Sequence, residues 1–303
     1  MEIRNCPVCN SGPEMASLFL EKNYDADKVS GFSFASRKNP EFMCHHLVKC
    51  SNCDLVYADS PPSVEELAEQ YHEASFDSDD EANDASRSYG KALSGLFNII
   101  KNKKRALDIG AGTGVFLDEL KAVGFEELVG IEPSLEPIAA APEHRKEWLK
   151  KDIFRQNMFE AETFDFIGCF MTMEHVRDPK LVANESMRIL NDNGAVAFVV
   201  HDHNSLVNKI LGKKSPIIDI EHMQIFSKNS IKELLNSSGF INIQVKSFYN
   251  KYPLKYWVRL LPLPNSFKSL ILKILRFIKI DTLKISINVG NLIAYGIKPE
   301  TSK

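Results

Sequence analysis

The sequence predicts an α/β protein with a doubly wound, mostly parallel sheet and a small metal-binding subdomain in front of it. Three features of the 303 residues support this: two early CxxC pairs, a glycine-rich turn between a strand and a helix, and alternating strand and helix patterns beyond residue 104. Such alternation places helices on both faces of a parallel sheet. The length suffices for one large domain with an appendage.

The composition is that of an ordinary globular protein, with 44% hydrophobic and 25% charged residues. A net charge of −3, from 37 basic and 40 acidic side chains, argues against a protein that coats nucleic acid. No apolar run reaches the ~20 residues needed to span a bilayer, and the opening residues contain no signal-peptide core. We therefore expect a cytoplasmic protein whose cysteines are reduced or bind metal.

Four of the six cysteines form two CxxC pairs: Cys6 with Cys9, and Cys50 with Cys53. Two intervening residues let both thiolates of a pair turn toward one tetrahedral ion. The sequence therefore predicts structural Zn²⁺ in a zinc-ribbon subdomain over residues 1–60, the alternative being four buried, reduced cysteines. Further potential ligands, which a complete four-cysteine site does not need, are Cys44, His45 and His46.

Residues 61–103 are predicted to form a helical linker. Between residues 59 and 84 there are ten acidic residues and no Lys or Arg, which is typical of a solvated face. One helix is predicted to begin with the prolines at 61–62, and a second to cover 87–100.

Residues 104–303 are predicted to form the main domain, a Rossmann-like sheet with helices on both sides. Strands are predicted at 106–109, 128–132, 164–170 and 195–200, with another ending at Asp152. The connecting helices are predicted at 133–141, 179–190 and 229–238. In sheets of this kind, ligands bind at the carboxyl ends of the strands.

The glycine-rich turn follows the first of these strands. Gly110, Gly112 and Gly114 allow a tight turn and a close approach of ligand to backbone, with Asp108 just before them. The GxGxG spacing departs from the GxGxxG of dinucleotide sites. Glu132 ends the second strand, where an acid accepts hydrogen bonds from ribose hydroxyls, and Asp152 is placed to receive an adenine amino group.

The segments LDIGAGTG, VGIEPS and KKDIF resemble the first three motifs of the class I S-adenosylmethionine-dependent methyltransferases. The resemblance covers residues 104–298. It implies S-adenosyl-L-methionine as the cofactor, with Ser134 as further lining. The residues that it assigns to cofactor binding are Asp108, Gly110, Ala111, Gly112, Gly114, Glu132, Pro133, Asp152, Ile153, Phe170 and Met171.

Methyl transfer to a hydroxyl or an acidic carbon requires a proton to leave, and a histidine supported by a carboxylate suits that task. Two adjacent pairs offer it: Glu174 with His175 after the fourth strand, and Glu221 with His222 later in the chain. His201 and His203, after the fifth strand, are secondary candidates.

A cysteine-paired ribbon before such a domain resembles the sugar methyltransferases of antibiotic and surface-polysaccharide pathways. In that family an EHxxxFS segment, here EHMQIFS, carries the proposed general base. The resemblance implies His222 as the base, with Glu221 beside it and His175 lining the site. Asp219 stands where that family tends to have tyrosine, and the chain is too short for the extra domain of the larger C-methyltransferases. O-methylation of a nucleotide-linked, lipid-linked or polysaccharide sugar is therefore favoured over C-methylation.

Two other functions fit parts of the sequence. A ribosomal RNA methyltransferase can also carry a zinc ribbon, but the acidic stretch that follows the ribbon here makes a nucleic-acid partner unlikely. A non-catalytic zinc-ribbon scaffold is the second alternative, and the intact glycines and both Glu-His pairs argue against it.

The segment 246–280 contains eight basic residues and no acidic one. It overlaps a predicted helical insertion at about 250–283, in which apolar residues recur at helical spacing near 265–280. A lid over the substrate cleft or a homodimer face is favoured, because apolar stripes are more often buried. The alternative is peripheral contact with the inner face of a membrane.

Overall fold

The computed structural model describes residues 3–25, 42–63, 66, 79–261 and 263–300. Most of the helix predicted to begin at 61–62 lies outside this part of the chain. The elements before the main domain include three short strands and a long helix: β1 Ala16–Leu20, β2 Leu47–Cys50, β3 Val56–Ala58 and α1 Asp79–Ile99. The helix begins before the predicted residue 87.

The main domain alternates strands and helices as the sequence predicts. Its first half contains β4 Arg105–Ile109, α2 Val115–Ala122, β5 Glu127–Glu132, α3 Leu135–Ala140, α4 Glu143–Lys146, β6 Leu149–Lys151 and β7 Phe164–Phe170. Its second half contains α5 Pro179–Ile189, β8 Leu190–His201, α6 Leu206–Leu211, β9 Gln224–Ile225, α7 Lys228–Ser237, β10 Ile241–Ser247, β11 Asn250–Pro253, α8 Leu254–Leu260, α9 Asn265–Phe277, β12 Lys284–Ile287 and β13 Asn291–Ile297.

The central sheet has seven strands in the order β10-β13-β8-β7-β4-β5-β6. The pairs from β6 through β8 are parallel, and β13 runs antiparallel to both of its neighbours. Along β8, Val196, Phe198 and Val200 pack into one core, whereas the alternate residues Ala197 and Val199 pack into the other. A strand buried on both faces is expected in such a sheet. The predicted doubly wound, Rossmann-like, mostly parallel fold is confirmed.

The closing strand, β13, begins at Asn291, directly after a turn at Gly290. Gly290 adopts φ +85°, and an added Cβ would collide with the Ser205 hydroxyl. This turn separates β13 from β12, which pairs instead with β11. The insertion before the last strand is therefore a β-hairpin carrying two helices, α8 and α9.

A second sheet joins the cysteine-rich region to the main domain. Its antiparallel order is β1-β2-β3-β9, and β9 comes from the segment just after His222. Tyr57 pairs with Gln224, and Val56 pairs with Ile225. We call residues 3–25 and 42–59 the Cys subdomain. It shares a sheet with the segment that carries the predicted base.

Candidate active site

A cavity of about 1530 Å³ lies at the carboxyl ends of β4, β5, β7 and β8. Its lining includes the strand ends, residues 4–10 of the Cys subdomain, one face of α1, the segments around both Glu-His pairs, parts of α5, α6 and α7, and the insertion. The carboxyl edge of a parallel sheet is where such folds bind ligands. The Cys subdomain and the insertion therefore enlarge a site that is formed at the edge of the central sheet.

The glycine turn shapes one end of the cavity. Gly110 and Gly112 have φ of +75° and +55°, in the left-handed region that favours glycine. A Cβ on Gly110 would collide with the Thr172 hydroxyl, whereas a Cβ on Gly112 would meet no described atom within 4 Å. Since Gly112 also lines the cavity, the space above it is open to a ligand.

Two buried carboxyl groups lie beside this turn. Glu132 accepts hydrogen bonds from the backbone N–H groups of Gly112 (2.8 Å) and Ser134 (2.9 Å). Burial raises the pKa of Glu132. Asp108 is 3% exposed, and its Oδ1 has no hydrogen-bond partner among the described residues. Burial, and then the charge of Glu132, raise the pKa of Asp108 well above its usual value.

These carboxyl groups fit S-adenosylmethionine, which carries ribose hydroxyls, an ammonium group and a sulfonium. A hydroxyl or a cation is what the Asp108 carboxyl requires, since an unpaired buried polar atom is costly. The open space above Gly112 admits the ligand. Ala111, Pro133, Ser134 and Ile153 also line the cavity, as expected for cofactor residues.

Two residues assigned to the cofactor lie elsewhere. Gly114, with φ +74°, precedes the first residue of α2 and does not line the cavity. Asp152 follows an edge strand and turns toward its own loop, where its Oδ1 accepts hydrogen bonds from the Ile153 N–H (2.8 Å) and from Arg155. Within the described chain, Ile153 and Arg155 line the cavity, and Asp152 does not.

Aromatic rings form another part of the wall. Phe170 and Met171, predicted by the resemblance, line the cavity after β7. The Phe170 ring packs on Phe116 (centroids 4.2 Å apart) and on Tyr89 (5.5 Å). Tyr89 lies on α1, which the sequence analysis treated only as a linker. The sequence predicted a helix here but did not indicate that one of its faces covers the cavity.

Three predicted catalytic side chains meet at the cavity. One possible ligand or proton-accepting atom from each of His175, Glu221 and His222 lies within 4.8 Å of the others. The ring centroids of His175 and His222 are 4.9 Å apart. His222 Nδ1 lies 2.9 Å from the Ile217 carbonyl oxygen, an acceptor, so Nδ1 carries the hydrogen. Nε2 is then the ring nitrogen able to accept a proton.

The predicted pairing of Glu174 with His175 is wrong. Glu174 is fully buried, and its Oε1 accepts a hydrogen bond from the His201 backbone N–H (2.6 Å). Glu174 Oε2 has no hydrogen-bond partner within the described chain, and burial raises the pKa of this carboxyl to about 8. The carboxylate near His175 is instead that of Glu221, with Oε2 3.7 Å from Nδ1. Glu174 and His175 are neighbours in sequence, but the Glu174 side chain contacts the end of β8 whereas the His175 side chain lines the cavity.

The secondary histidines differ from each other. His201 lines the cavity, with its ring centroid 5.3 Å from that of His222. Burial, and then the charge of His222, lower the pKa of His201 to about 3, so its ring is neutral near pH 7. His203 Nε2 instead donates a hydrogen bond to the Asp54 carbonyl (2.8 Å) in the Cys subdomain. His203 therefore serves the contact between the two regions.

The four paired cysteines converge on one point. All four sulfurs lie within 4.8 Å of one another, with Cys6–Cys53 at 3.5 Å and Cys9–Cys50 at 3.6 Å. Four sulfurs at ~2.3 Å from a tetrahedral ion lie about 3.8 Å apart, so the donor set fits such a metal. Cys44 lies apart from them, with its Sγ 3.6 Å from the Glu21 carbonyl.

Hydrogen bonds tie this cysteine cluster to the histidines. Gln224, in β9, is buried and donates to the carbonyls of Met173 (2.6 Å) and Val176 (2.7 Å), on either side of His175. Arg4, in the Cys subdomain, donates to the carbonyls of Arg177 (2.8 Å) and Met223 (3.2 Å). The Cys subdomain is thereby bonded to both Glu-His segments.

The insertion adds aromatic residues that the sequence did not predict at the site. Tyr252, Tyr256 and Trp257 line the cavity, and each is at most 9% exposed. Trp257 Nε1 donates to the Ile285 carbonyl (3.2 Å), which fixes the indole against β12. The available signal was the cluster YPLKYW within an otherwise basic segment. Helix α8 thus closes the cavity on the side of these rings.

The comparisons with known proteins agree with this geometry. Pseudomonas putida "Ubiquinone biosynthesis O-methyltransferase" is 34% identical over 107 residues, 33% of this chain and 46% of that protein. The protein of the same name from Actinobacillus pleuropneumoniae is 31% identical over 105 residues, 31% of this chain and 44% of that one. The chain therefore matches less than half the length of these curated relatives.

Solved structures show the same fold at low sequence identity. The YcgJ protein from Bacillus subtilis superposes with a TM-score of 0.51 at 18% identity, over 70% of this chain and 99% of that one. A chain from the complex of a Haloferax volcanii putative methyltransferase with the Trm112 activator gives 0.51 at 17% identity, over 74% and 94%.

A sequence model described as "Methyltransferase domain" matches residues 80–245, just over half of the chain. This span contains the glycine turn, both buried carboxyl groups and the histidine cluster. The chain therefore belongs to this methyltransferase family, and its main domain is a class I S-adenosylmethionine-dependent methyltransferase domain.

Proposed function

We propose that the protein transfers a methyl group from S-adenosylmethionine to a hydroxyl of a sugar, with His222 removing the proton. S-adenosylmethionine supplies an activated methyl group on a sulfonium, so the chain mainly has to align the acceptor and take its proton. The single observation that carries the proposal is the position of His222. It lies on the cavity wall with His175, His201 and Glu221 around it.

The hydrogen bond of His222 supports its role as base. Donation from Nδ1 to the Ile217 carbonyl orients the ring and reserves Nε2 for the proton. Glu221 stabilises positive charge in the cluster through His175. Glu174, protonated near neutral pH, holds the His201 backbone in place rather than acting on the acceptor.

The walls of the cavity support a ring-shaped acceptor that carries hydroxyl groups. Tyr252, Tyr256 and Trp257 offer flat apolar surfaces to a ring-shaped acceptor, while the histidine cluster faces its hydroxyls. A nucleotide-linked, lipid-linked or polysaccharide sugar meets both demands, as the EHMQIFS resemblance also implies. A phenolic ring is the second candidate, because two relatives bear the name of an O-methyltransferase of ubiquinone biosynthesis. Oxygen is favoured over carbon as the methylated atom in both cases.

We further propose that Cys6, Cys9, Cys50 and Cys53 hold a structural zinc ion. The sulfur separations and the return of both CxxC turns to one point support this assignment. The proposed organisation is a zinc ribbon over residues 1–60, a linker over 61–103 and the methyltransferase domain over 104–303. Neither an RNA substrate nor a non-catalytic scaffold is favoured, because the cofactor residues and the histidines converge on one cavity.

The experiment that tests the proposed function separates binding from turnover. Wild-type protein should bind S-adenosylhomocysteine in calorimetry, and mass spectrometry should detect methylated product from a panel of sugars and catechols. The His222→Ala variant should bind the same ligand within a few-fold while turnover falls ~10²–10⁴-fold, the usual contribution of a general base. His144→Ala, an exposed histidine on α4, is the matched control.

Each outcome bears on a different part of the proposal. A wild-type protein that does not bind S-adenosylhomocysteine would refute methyl transfer. Unchanged turnover in His222→Ala would remove the base from His222 and leave the methyltransferase intact. Methylation of catechols but not of sugars would replace the sugar with the phenolic candidate. Surface glycans from cells with and without the protein, compared for a lost methyl group, would then identify the natural acceptor.

A further inference from the structure

Helix α9 presents an apolar stripe to solvent. Its members are between 51% and 88% exposed: Phe267, Leu270, Ile274, Phe277 and Ile278. They recur at intervals of three and four residues, so they lie on one side of the helix. None of the thirteen residues of this helix, all within the described chain, is buried. The stripe is therefore not part of the core.

The side of α9 that packs on the protein is a different one. Lys268, Leu272 and Leu275, spaced by four and three residues, are only partly exposed. Lys268 Nζ donates a hydrogen bond to the Arg259 carbonyl (2.7 Å) at the end of α8. This contact fixes the orientation of α9, with the apolar stripe turned away from α8.

The charges around the stripe indicate what would cover it. Lys273 and Arg276 are exposed on α9 and Lys279 just beyond its end, and the segment 246–280 contains eight basic residues and no acidic one. Arg276 lies 4.0 Å from Asp281, and Arg259, at the end of α8, lies 3.9 Å from Glu81 of α1. A second copy of the chain would bring the same basic segment to the interface, where like charges repel. An anionic lipid surface pairs with both the apolar stripe and the basic flank.

We propose that α9 lies in the headgroup region of an anionic membrane, with the stripe inserted and the basic residues on the lipid phosphates. Among the described residues, no helix is long and apolar enough to cross a membrane. This contact goes beyond the proposed methyl transfer and does not depend on it.

The position of the insertion gives this contact a consequence for the cavity. Tyr256, Trp257 and Leu260 of α8 line the cavity, and α9 packs on α8. Leu261 lines the cavity and is also 42% exposed, and Leu263 beyond it is 40% exposed. Apolar surface therefore continues from the cavity wall to the outside of the insertion. An acceptor with a lipid anchor would approach along this route.

Co-sedimentation of the full-length protein with vesicles tests the membrane contact. Wild-type protein should bind vesicles of phosphatidylcholine mixed with phosphatidylglycerol, bind phosphatidylcholine alone far less, and dissociate as salt rises. The Phe277→Glu variant should have an affinity for mixed vesicles at least about tenfold lower, because the apolar contact of a large side chain is lost. Ile99→Glu, at an apolar residue 60% exposed at the end of α1, should bind like the wild type.

A charge variant separates the two components of binding. Lys273→Gln combined with Arg276→Gln should weaken binding to the mixed vesicles several-fold. Because Phe277 is 88% exposed, its substitution should leave the thermal melt and S-adenosylhomocysteine affinity unchanged, which excludes misfolding as the cause of lost binding. The proposal is overturned if the wild type stays in the supernatant, binds both vesicle types equally, or is unaffected by Phe277→Glu. A wild-type dimer that Phe277→Glu dissociates would assign the stripe to a second copy instead.

Discussion

The Cys subdomain and the insertion both line the cavity, but they are joined to the main domain in different ways. The Cys subdomain shares a sheet with β9, and its Arg4 donates hydrogen bonds to the Arg177 and Met223 carbonyls, close to the two Glu-His segments. The insertion forms its own two-stranded pairing, packs aromatic rings against the cavity and leaves the stripe of α9 exposed. The Cys subdomain is held near the histidines by polar contacts, and the insertion covers the cavity with apolar surface.

This difference suggests a division of labour. Directional hydrogen bonds fix positions to a fraction of an ångström, which a base requires, whereas apolar contact tolerates ligands of several shapes. We therefore expect damage to the Cys subdomain to reduce turnover, and damage to the insertion to reduce acceptor binding.

Loss of the proposed zinc ion should give the largest effect. In Cys50→Ser, the remaining cysteines should lose the metal, whose binding contributes ~10–16 kcal/mol to folding in small zinc domains. β3 and β9 should then separate, and turnover should fall at least ~100-fold as His222 loses its position. Affinity for S-adenosylhomocysteine should change less, because the glycine turn lies in the central sheet. Metal analysis, hydrogen exchange and calorimetry measure these quantities.

Cys44→Ser is the matched control, since Cys44 is also buried but lies outside the cluster. It should retain the metal and turnover. If Cys50→Ser kept full turnover after losing the metal, the Cys subdomain would not position the histidines, and the comparison would fail.

Removal of an aromatic ring from the insertion should give a smaller and different effect. Trp257→Ala should destabilise the insertion by about 3 kcal/mol, at the low end for a buried tryptophan, because one side of the ring faces the cavity. The KM for the acceptor should rise about tenfold with little change in kcat. Steady-state kinetics separate the two parameters.

Tyr249→Ala is the control, because this aromatic residue precedes the insertion, is 65% exposed and does not line the cavity. It should leave KM unchanged. A Trp257→Ala variant with normal KM and low kcat would assign the insertion to catalysis rather than to acceptor binding.

The sequence predicted local structure and motif positions well for physical reasons. The turn at Gly110 and Gly112 and the strands on either side depend on backbone angles and on period-two burial, which neighbouring residues encode. It also placed His175, Glu221 and His222 correctly at one cavity. The position of His175 follows from the rule that parallel strands bring their carboxyl ends together, whereas Glu221 and His222 were assigned from the resemblance of EHMQIFS.

The remainder depended on tertiary packing that sequence spacing does not contain. Glu174 is adjacent to His175 in the turn after β7, yet its carboxyl accepts a hydrogen bond from the His201 backbone, whereas His175 lines the cavity. Tyr89 and Trp257 reach the cavity only through the placement of α1 and α8. The apolar repeat in α9 predicted a helix correctly, but the repeat alone could not tell a core-facing stripe from an exposed one.

Glu174 itself gives the smallest of the expected effects, on stability rather than on turnover. Its carboxyl lies where the two Glu-His segments meet, and the Met223 backbone N–H donates to its carbonyl (2.9 Å). Burial raises the pKa of this group from 4.5 to about 8. Between those pH values the folded protein holds a proton that the unfolded chain has released. The free energy of unfolding should therefore fall as pH rises through this window.

Between pH 6 and pH 8 this one residue should lower the free energy of unfolding by ~2–3 kcal/mol. Glu174→Gln, which keeps an acceptor for the His201 N–H, should remove that slope in urea titrations at the two pH values. If the new amide nitrogen has no hydrogen-bond partner, it lowers the free energy of unfolding equally at both pH values. The change of that free energy with pH is therefore the informative quantity. Glu143→Gln, with a side chain 89% exposed, should keep the wild-type slope. An unchanged slope in Glu174→Gln would mean that the Glu174 carboxyl of the wild type is already ionised in the folded protein. A negative charge would then lie beneath the histidines and would hold them by attraction rather than by a neutral hydrogen bond.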